Sequence, residues 1–282
     1  MKKFFFSILS ILLFLFTFST PISADTGPKP YLEIKFKGID EPYYVTVLGN
    51  VESYGPNSKE NDKYYTGRKN EEILIKFNHF EDDYYFWGNV EECTTTHKFK
   101  RGYWPPKTFK VLVYFPNSDT FVVSDSFDRY AFRSYYTFEF NNHEIIKAYE
   151  SYNYTFEIVS FLIRCAITIF LELIIAEIFN LKDSKQRNII IRTNLITQVL
   201  LNVFITYTTY LNGYLTFIFS YLWLEALVLI IEGIVYSKTL PKTTNEKIHP
   251  WKYAIFANVF SFIFGFFVQG ILDSFNSFFT LL

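Results

Sequence analysis

The sequence predicts an α+β membrane protein in which an antiparallel β-sandwich-like exported domain precedes a four-helix transmembrane bundle. Three observations support this fold class: a basic and then apolar opening, a polar middle with alternating apolar residues, and a strongly apolar C-terminal half. The 282 residues are 50% hydrophobic, and 27 Lys and Arg stand against 28 Asp and Glu. The formal net charge of -1 gives no long-range attraction to nucleic acid, and the apolar C-terminal half makes the lipid bilayer the expected partner.

The first 24 residues have the order of a secretory signal peptide. A basic start, Met1–Lys3, is followed by an apolar run over Phe4–Phe18 and then by small residues that end at Ala24. The run is shorter than the roughly 20 residues that a membrane span needs. We expect cleavage after Ala24, and the alternative is an uncleaved anchor. Both outcomes place residue 25 onward outside the cytoplasm.

Residues 25–140 are predicted to form the exported β-rich domain. Short alternating segments are separated by turn-forming residues, a spacing that is typical of an antiparallel sandwich. The expected strands are Tyr31–Lys37, Tyr43–Leu48, Ile73–Phe77, Tyr84–Trp87, Phe109–Phe115, Phe121–Ser124 and Tyr135–Phe140. Residues 141–157 are predicted to be a juxtamembrane linker, in which Asn141 and Glu144 favour the start of a short helix through Tyr149.

Residues 158–282 contain four apolar stretches, each of which is long enough to cross a bilayer. These predicted spans are 158–179, 189–210, 214–236 and 253–272. Lysine and arginine cluster in the loops 180–188 and 237–252, whereas the connection 211–213 carries no charge. The positive-inside rule then places both basic loops in the cytoplasm. We therefore predict a multi-pass protein of the plasma membrane, with residues 25–157 and the C-terminus extracellular.

Each predicted span carries polar residues along one helical face, and together they form the candidate site. The members of this carboxyl–amide cluster are Glu172, Glu225, Glu232, Asn194, Gln198, Asn202, Asn258 and Ser261. A single charged residue at a helix centre costs about 2.5–3.5 kcal/mol, so these side chains are expected to face one another. One interpretation is that the carboxyls bind a cation or a proton. The other is that the cluster joins the helices by hydrogen bonds.

The polar residues also suggest an internal repeat. Leu171-Glu172 in the first span matches Leu224-Glu225 in the third. The following spans offer Asn194-x-x-Thr197 and Asn258-x-x-Ser261. Because both pairs of spans start outside, a duplication would give two parallel halves about an axis normal to the membrane.

Aromatic residues supply a second candidate site in the exported domain. Trp87, Tyr103 and Trp104 stand in dense aromatic groups that suit stacking on a sugar or a peptide. The alternative is a structural role in the core and in a belt at the membrane surface. No nucleophile elbow, zinc-protease helix or phosphate-binding glycine loop is present, so the sequence gives no indication of an enzyme, and we expect no metal and no cofactor.

The predicted mature N-terminus carries a short motif, Asp25-Thr26-Gly27-Pro28-Lys29-Pro30. It resembles the D-x-G-P-K-P start of an uncharacterised family of Gram-positive bacterial membrane proteins with about four C-terminal helices. That resemblance implies the architecture and no site residues. The polar cluster itself favours a small-solute or ion and proton transport component, working as a homo-oligomer or with a membrane partner subunit. The alternative is a cell-envelope sensor whose exported domain binds a ligand while the helices anchor and relay.

Overall fold

A computed structural model describes residues 28–52, 70–240 and 249–281. The predicted signal peptide, residues 1–24, lies outside the described residues. The strands are β1 (Tyr31–Lys37), β2 (Tyr44–Gly49), β3 (Tyr85–Phe86), β4 (Glu91–Glu92), β5 (Lys98–Arg101), β6 (Thr108–Phe115), β7 (Thr120–Val123), β8 (Phe127–Asp128), β9 (Arg133–Asn141) and β10 (Glu144–Glu150). The helices are α1 (Glu71–Asn78), α2 (Tyr154–Ile178), α3 (Ser184–Asn212), α4 (Tyr214–Thr239) and α5 (Pro250–Leu281). The chain is therefore α+β, with a β domain before a helical domain formed by α2 to α5.

Two sheets build the β domain. Sheet 1 has the order β10-β9-β1-β5, and sheet 2 has the order β3-β2-β6-β7, with β4 paired to β2 and β8 to β6. The β1 and β9 strands run parallel, from Tyr31 opposite Arg133 to Lys37 opposite Glu139. The expectation of an entirely antiparallel domain is wrong at this pair. Hairpin signals fix the direction of strands that follow each other closely, and they do not reach two strands so far apart in sequence.

The two sheets share one apolar core. Alternate residues of β1 enter it, because successive side chains of a strand point to opposite faces. The other main contributions are Val45 and Val47 of β2, Phe109, Val111, Val113 and Phe115 of β6, and Tyr136, Phe138 and Phe140 of β9. Each such buried side chain stabilises the fold by about 1.5–3 kcal/mol.

The segment predicted as a strand at Ile73–Phe77 is part of helix α1. Leu74 and Phe77 lie three residues apart on one helical face and are buried against sheet 2. Two acidic residues, Glu71 and Glu72, occupy the first turn, where they complement the helix dipole. The apolar spacing of three was the informative signal, and the density of β-branched and aromatic residues concealed it.

The short helix expected from Asn141 through Tyr149 is strand β10. A two-residue turn at Asn142 and His143, with φ values of 46° and 65°, joins it to β9. Positive φ at both central residues is the geometry of a hairpin turn whose twist matches the strands, and Asn adopts it readily. The sheet therefore continues to within a few residues of α2.

Three helices are long and apolar enough to cross a membrane, namely Tyr154–Ile178, Ser184–Asn212 and Ile218–Thr239. These helices mark the chain as a membrane protein. In the helical domain α2 packs on α3, α3 on α4, α4 on α5, and α5 on α2. The four helices thus enclose a common interior.

The β domain contacts the helical domain where α3 ends and α4 begins. The Phe132 amide donates a hydrogen bond of 2.8 Å to the Tyr210 carbonyl. The Phe132 ring also lies against Gly213, where a Cβ atom would come within 2.5 Å of a ring carbon. Gly213 has a φ of +85°, so only a residue without a side chain fits this close approach.

Candidate functional site

A cavity of about 940 Å³ opens at the junction of the two domains and extends between the helices. We call it the junction cavity. Its β-domain end includes Glu33, Lys35 and Arg133, and its helical end includes Arg164, Gln198, Asn202, Tyr221 and Ser261. The cavity has the size of a small-molecule site. It therefore connects the β domain with the interior of the helical domain.

Arg164 and Asn202 meet on the wall of this cavity. The Arg164 Nε atom donates a hydrogen bond of 3.0 Å to Asn202 Oδ1. The Asn202 amide nitrogen donates to the Gln198 carbonyl at 2.8 Å. At 1.5 Å per residue, Arg164 lies about 15 Å from the start of α2 and Asn202 about 15 Å from the end of α3. A guanidinium therefore stands at the same depth as the amides of the neighbouring helix.

The junction cavity also carries carboxylates near its mouth, and each is held by a tyrosine. Tyr31 donates to Glu33 at 2.8 Å, and Tyr152 donates to Glu157 at 3.1 Å. Burial and the nearby glutamates raise the pKa of Tyr31 and of Tyr152. Both phenols therefore remain neutral donors at physiological pH.

Deeper in the helical domain, carboxyl and amide groups from all four helices form one network. We call it the inner cluster, and it consists of Glu172, Asn194, Thr197, Glu232 and Asn258. Asn194 donates to Glu172 through a short hydrogen bond. Glu232 accepts from Thr197 at 2.7 Å and from Asn258 at 2.8 Å. The two carboxyls are thus each bonded to an amide of the following helix.

Two tyrosines close the inner cluster. Tyr236 contacts the Asn194 amide nitrogen at 2.9 Å, and Tyr253 donates to the Glu172 carbonyl at 3.3 Å. Both rings are fully buried and pack against each other at 5.4 Å. They belong to an apolar plug that also contains Leu181, Leu240 and Ala254. The plug separates the inner cluster from the end of the helical domain opposite the β domain.

The inner cluster repeats one local geometry. Asn194 donates to the Ile190 carbonyl and Asn258 to the Ala254 carbonyl, in each case four residues earlier. Thr197 and Ser261 each donate to the carbonyl of the asparagine three residues earlier, both at 3.1 Å. In this arrangement Glu232 is the counterpart of Glu172. The sequence match of Glu172 with Glu225 selected the wrong glutamate of α4.

Several buried oxygens of the inner cluster and of the neighbouring Glu225 have no hydrogen-bond partner. These are Glu172 Oε1, Asn194 Oδ1, Asn258 Oδ1 and Glu225 Oε2. All four are acceptors, and an unpaired buried polar atom costs about 1–3 kcal/mol. Protons, water or a cation would satisfy them. Within the described ranges, no group of three or more His, Cys, Asp or Glu stands close enough to hold a metal ion.

The structure divides the predicted carboxyl–amide cluster into two parts. Glu172, Asn194, Glu232 and Asn258 are in the inner cluster, whereas Gln198, Asn202 and Ser261 line the junction cavity. Glu225 is only 8% exposed and accepts a hydrogen bond from Tyr221, which lines the cavity. Glu225 therefore lies beside the cavity wall and connects to it through one phenol.

The predicted aromatic site separates into a packed and an exposed part. Trp87 donates to the Val51 carbonyl at 2.9 Å and covers Gly49, so it completes the edge of sheet 2. Tyr103 and Trp104 are 62% and 56% exposed, and both have positive φ. The Lys29 ammonium lies within 6 Å of both rings, at cation–π distance. Lys29 precedes β1 at the end of the domain that faces the helices.

Sequence reasoning left several site residues outside the predicted carboxyl–amide cluster. Thr197, Tyr236 and Tyr253 bond directly to it, and Arg164 lines the cavity with Ser160. Thr197 is signalled by its spacing of three from Asn194, which places both on one helical face. The depth of Arg164, equal to that of Asn202, is a further signal. Tyr253 has no such signal, because it bonds across to another helix.

No family model, curated protein or solved structure matches this chain. The fold and the site therefore define only the class of protein to which the chain belongs. The chain is an α+β membrane protein with a β domain at one end of its helices and a polar interior between them. Its activity has to be argued from the cavity and the inner cluster.

Proposed function

We propose that the protein is a membrane-transport component for a small solute or an ion, with the junction cavity as entry and the inner cluster as the deeper polar path. One observation carries this proposal. The cavity reaches from the domain junction to Gln198 and Asn202, and the next polar residue one turn further along α3 is Asn194 of the inner cluster. A scaffold alone needs neither a cavity of this size nor carboxyls behind it.

The proposal includes the orientation in the membrane. We propose four spans beneath a β-sandwich in a plasma membrane of the Gram-positive type, consistent with the signal peptide and with the D-x-G-P-K-P family. The basic loops 180–188 and 237–252 would then be cytoplasmic by the positive-inside rule. In that orientation the cavity faces the outside, and the apolar plug closes the cytoplasmic side.

An open outer cavity and a closed inner plug correspond to one state of an alternating-access cycle. Passage through the protein requires Tyr236 and Tyr253 to separate, since they are the largest side chains of the plug. The inner cluster joins all four helices next to these rings. Loading its unpaired acceptors with a proton or cation would therefore change the contacts that hold the plug closed. Four helices form a small carrier, so we propose a second copy or a partner subunit beside it.

The test is flux through the purified full-length protein in sealed vesicles, with proton and sodium movement followed by entrapped dyes. We expect flux with the natural sequence. Glu232→Gln and Glu225→Gln should each reduce it at least tenfold, because neutral amides cannot exchange a proton. Asn202→Leu should reduce it by narrowing the cavity. Thr208→Val is the matched control, since Thr208 lies on α3 outside the cavity lining and bonds to its own helix.

The outcome separates transport from scaffolding. Absence of flux with the natural protein and with every variant, in vesicles where the natural protein is folded, would contradict the proposal. Flux that survives both glutamate variants would remove the inner cluster from the path and leave the cavity alone. Loss with Thr208→Val would show that the assay reports general instability.

A sensor is the second candidate, and one observation favours it. The same cavity is lined by both domains, so a ligand bound there contacts Arg133 of the β domain and Arg164 of the helices together. The exposed Tyr103 and Trp104 offer a further binding surface. In this case ligand binding should persist in Glu232→Gln and decline when Tyr103 and Trp104 are replaced by serine. The transport proposal expects the reverse dependence for flux.

A further inference from the structure

The junction cavity contains a guanidinium deep between the helices. Arg164 stays charged at any physiological pH, and a charged residue at a helix centre costs about 2.5–3.5 kcal/mol. Its Nε atom bonds to the neutral oxygen of Asn202, and the side chain lines the cavity. A guanidinium has five donors in a planar fork that matches carboxylate and phosphate groups. The position of Arg164 on the cavity wall therefore offers such a group a defined partner.

Two buried hydroxyl groups line the same cavity. Ser160 lies one helical turn from Arg164, is only 2% exposed, and its Oγ atom has no hydrogen-bond partner. Thr209 Oγ1, on the facing helix, is also buried and unpartnered. Both residues line the cavity. A hydroxyl that loses water without gaining a partner is destabilising, so these groups indicate a ligand that accepts hydrogen bonds.

The electrostatics of the cavity agree with an anionic ligand. The N-termini of α2 and α4 both open into it, as Asn153 and Gly213 belong to its wall. Helix N-termini carry partial positive charge. The charged side chains of the lining are Lys35, Arg133 and Arg164 against Glu33 and Glu157. The lining thus carries one more positive than negative side chain, and Arg164 is the charged residue among them that lies deepest between the helices.

Part of the remaining wall is apolar. Phe156, Ile167, Leu201, Ile205 and Val268 line the cavity between the polar groups. A fully hydrated inorganic ion gains nothing from such a wall, whereas a ligand with an apolar body buries surface against it at about 25 cal/mol per Å². The lining therefore selects for a molecule with both an anionic head and an apolar part.

We infer that the junction cavity binds a small amphiphilic anion, whose carboxylate or phosphate head contacts Arg164 and Ser160 while its apolar body lies against α2, α3 and α5. That this anion is transported rests on the proposed function, whereas its binding in the cavity does not. The head group belongs either to a free organic anion or to a lipid of the outer leaflet, since both present a carboxylate or phosphate next to an apolar body.

The test is binding to the full-length protein in nanodiscs of neutral phosphatidylcholine, measured by calorimetry. The probes are hexyl phosphate and hexanoate, with hexanol and hexyltrimethylammonium as neutral and cationic controls of equal chain length. We expect saturable binding of the two anions only. Arg164→Gln should weaken it at least tenfold, Arg164→Lys should restore part of it, and Ser160→Ala should weaken it a few-fold.

Arg187→Gln is the matched control, because Arg187 pairs with Glu177 in an exposed salt bridge at the opposite end of the helices. Ser160→Ala keeps the test valid if Arg164→Gln does not fold. Equal binding of hexanol and hexyl phosphate, or anion binding unchanged by both Arg164→Gln and Ser160→Ala, would overturn the inference. Adding phosphatidylglycerol to the nanodiscs distinguishes the two sources. If the cavity binds a lipid, phosphatidylglycerol will compete with hexyl phosphate. If it binds a soluble anion, phosphatidylglycerol will leave the binding of hexyl phosphate unchanged.

The inference and the proposed function fail in different ways. Anion binding without any flux contradicts transport and leaves the binding site in place, as a sensor requires. Proton or sodium flux without anion binding contradicts the inference and leaves the path through the inner cluster. Each of these two results therefore contradicts either the inference or the proposed function, and not both.

Discussion

The β domain and the helical domain distribute polarity in opposite ways. In the β domain Phe109, Phe115 and Phe138 are fully buried, and the described charged residues other than Glu33 are at least partly exposed. In the helical domain Glu172, Asn194 and Glu232 are fully buried, while Phe170 and Ile178 are 64% and 73% exposed. The difference shows that each part is ordered by its surroundings. Water drives apolar groups inward in one part, and lipid leaves polar groups to find one another in the other.

This reversal decides what a buried residue means in each half. A buried phenylalanine of the β domain contributes directly to stability by leaving water. A buried glutamate of the helices gains only the hydrogen bonds it makes, which average about 0.6 kcal/mol each in a measured membrane protein. The hydrogen bonds of the inner cluster therefore offset little of the free energy that burying its carboxyls costs. This supports a role beyond holding the helices together.

The largest expected effect is a phenylalanine truncation made in both halves. Phe138→Ala should lower the free energy of unfolding by about 3–5 kcal/mol, because it leaves a cavity in the shared core. Phe170→Ala should change it by less than about 0.5 kcal/mol, since its ring lies on the lipid-facing surface. Equilibrium unfolding in detergent, followed by tryptophan fluorescence, measures both. Equal losses would show that the two halves obey the same packing rule.

The second prediction concerns a charge introduced at an exposed position of each half. Here the helical domain, and not the β domain, is expected to lose stability. Leu200→Lys should cost about 2.5–3.5 kcal/mol, because Leu200 is exposed near mid-depth on α3. Val123→Lys, on the exposed edge strand β7, should change stability by less than about 0.5 kcal/mol. The yield of membrane-inserted protein and its thermal unfolding report the difference. A harmless lysine at position 200 would place that face of α3 in water.

A smaller effect tests the inner cluster. Glu232→Leu should destabilise the protein by about 1–3 kcal/mol, because Thr197 and Asn258 lose their acceptor in a buried site. Glu232→Gln should cost less than about 1 kcal/mol, since the Asn258 amide can turn its unpaired oxygen toward the new donor. Thermal unfolding in nanodiscs compares the two. The exposed Glu177→Gln serves as the reference, and a loss as large there would remove the distinction between inner cluster and surface.

The smallest effect is a pH dependence confined to the β domain. Hydrogen bonds from Lys110 and Lys76 lower the pKa of Asp83 and Asp119, respectively. A carboxyl with a lowered folded pKa contributes stability above its unfolded value, near 4, and loses it as the pH falls through the folded value. Between pH 5 and 2 the free energy of unfolding of the natural protein should therefore fall by more than that of the Lys76→Met and Lys110→Met variants, so that the difference in acid unfolding between them shrinks as the pH falls. Both carboxylates are exposed to solvent, so added salt should reduce the effect.

Local patterns predicted the elements that have a single strong period. Strand β1 follows the alternation of Tyr31–Lys37. The apolar stretch 158–179 matches α2 to within one residue at its end, and the stretch 189–210 lies within α3. Prediction was wrong where two signals competed. Ile73–Phe77 is rich in β-forming side chains but has helical spacing, and Glu144 suggested a helical cap while Asn142 and His143 form a hairpin turn.

The candidate site was predicted in composition and not in arrangement. Helical spacing placed Asn194, Gln198 and Asn202 on one face, and the structure assigns the first to the inner cluster and the other two to the cavity wall. The division depends on where each helix stands along its neighbour. That register is set by side chains of other helices, such as Tyr253 against Glu172, and no single helix contains it.

The sequence by itself determined which segments are apolar, which faces are polar and which residue types are available for chemistry, because these follow from local period and composition. Only the tertiary structure decided that β9 lies parallel to β1, that Glu232 and not Glu225 is the counterpart of Glu172, and that Arg164 borders a cavity lined by both domains. The physical reason is the distance along the sequence over which each effect acts. Periodicity acts over a few residues, whereas a cavity exists only where distant segments fail to fill the space between them.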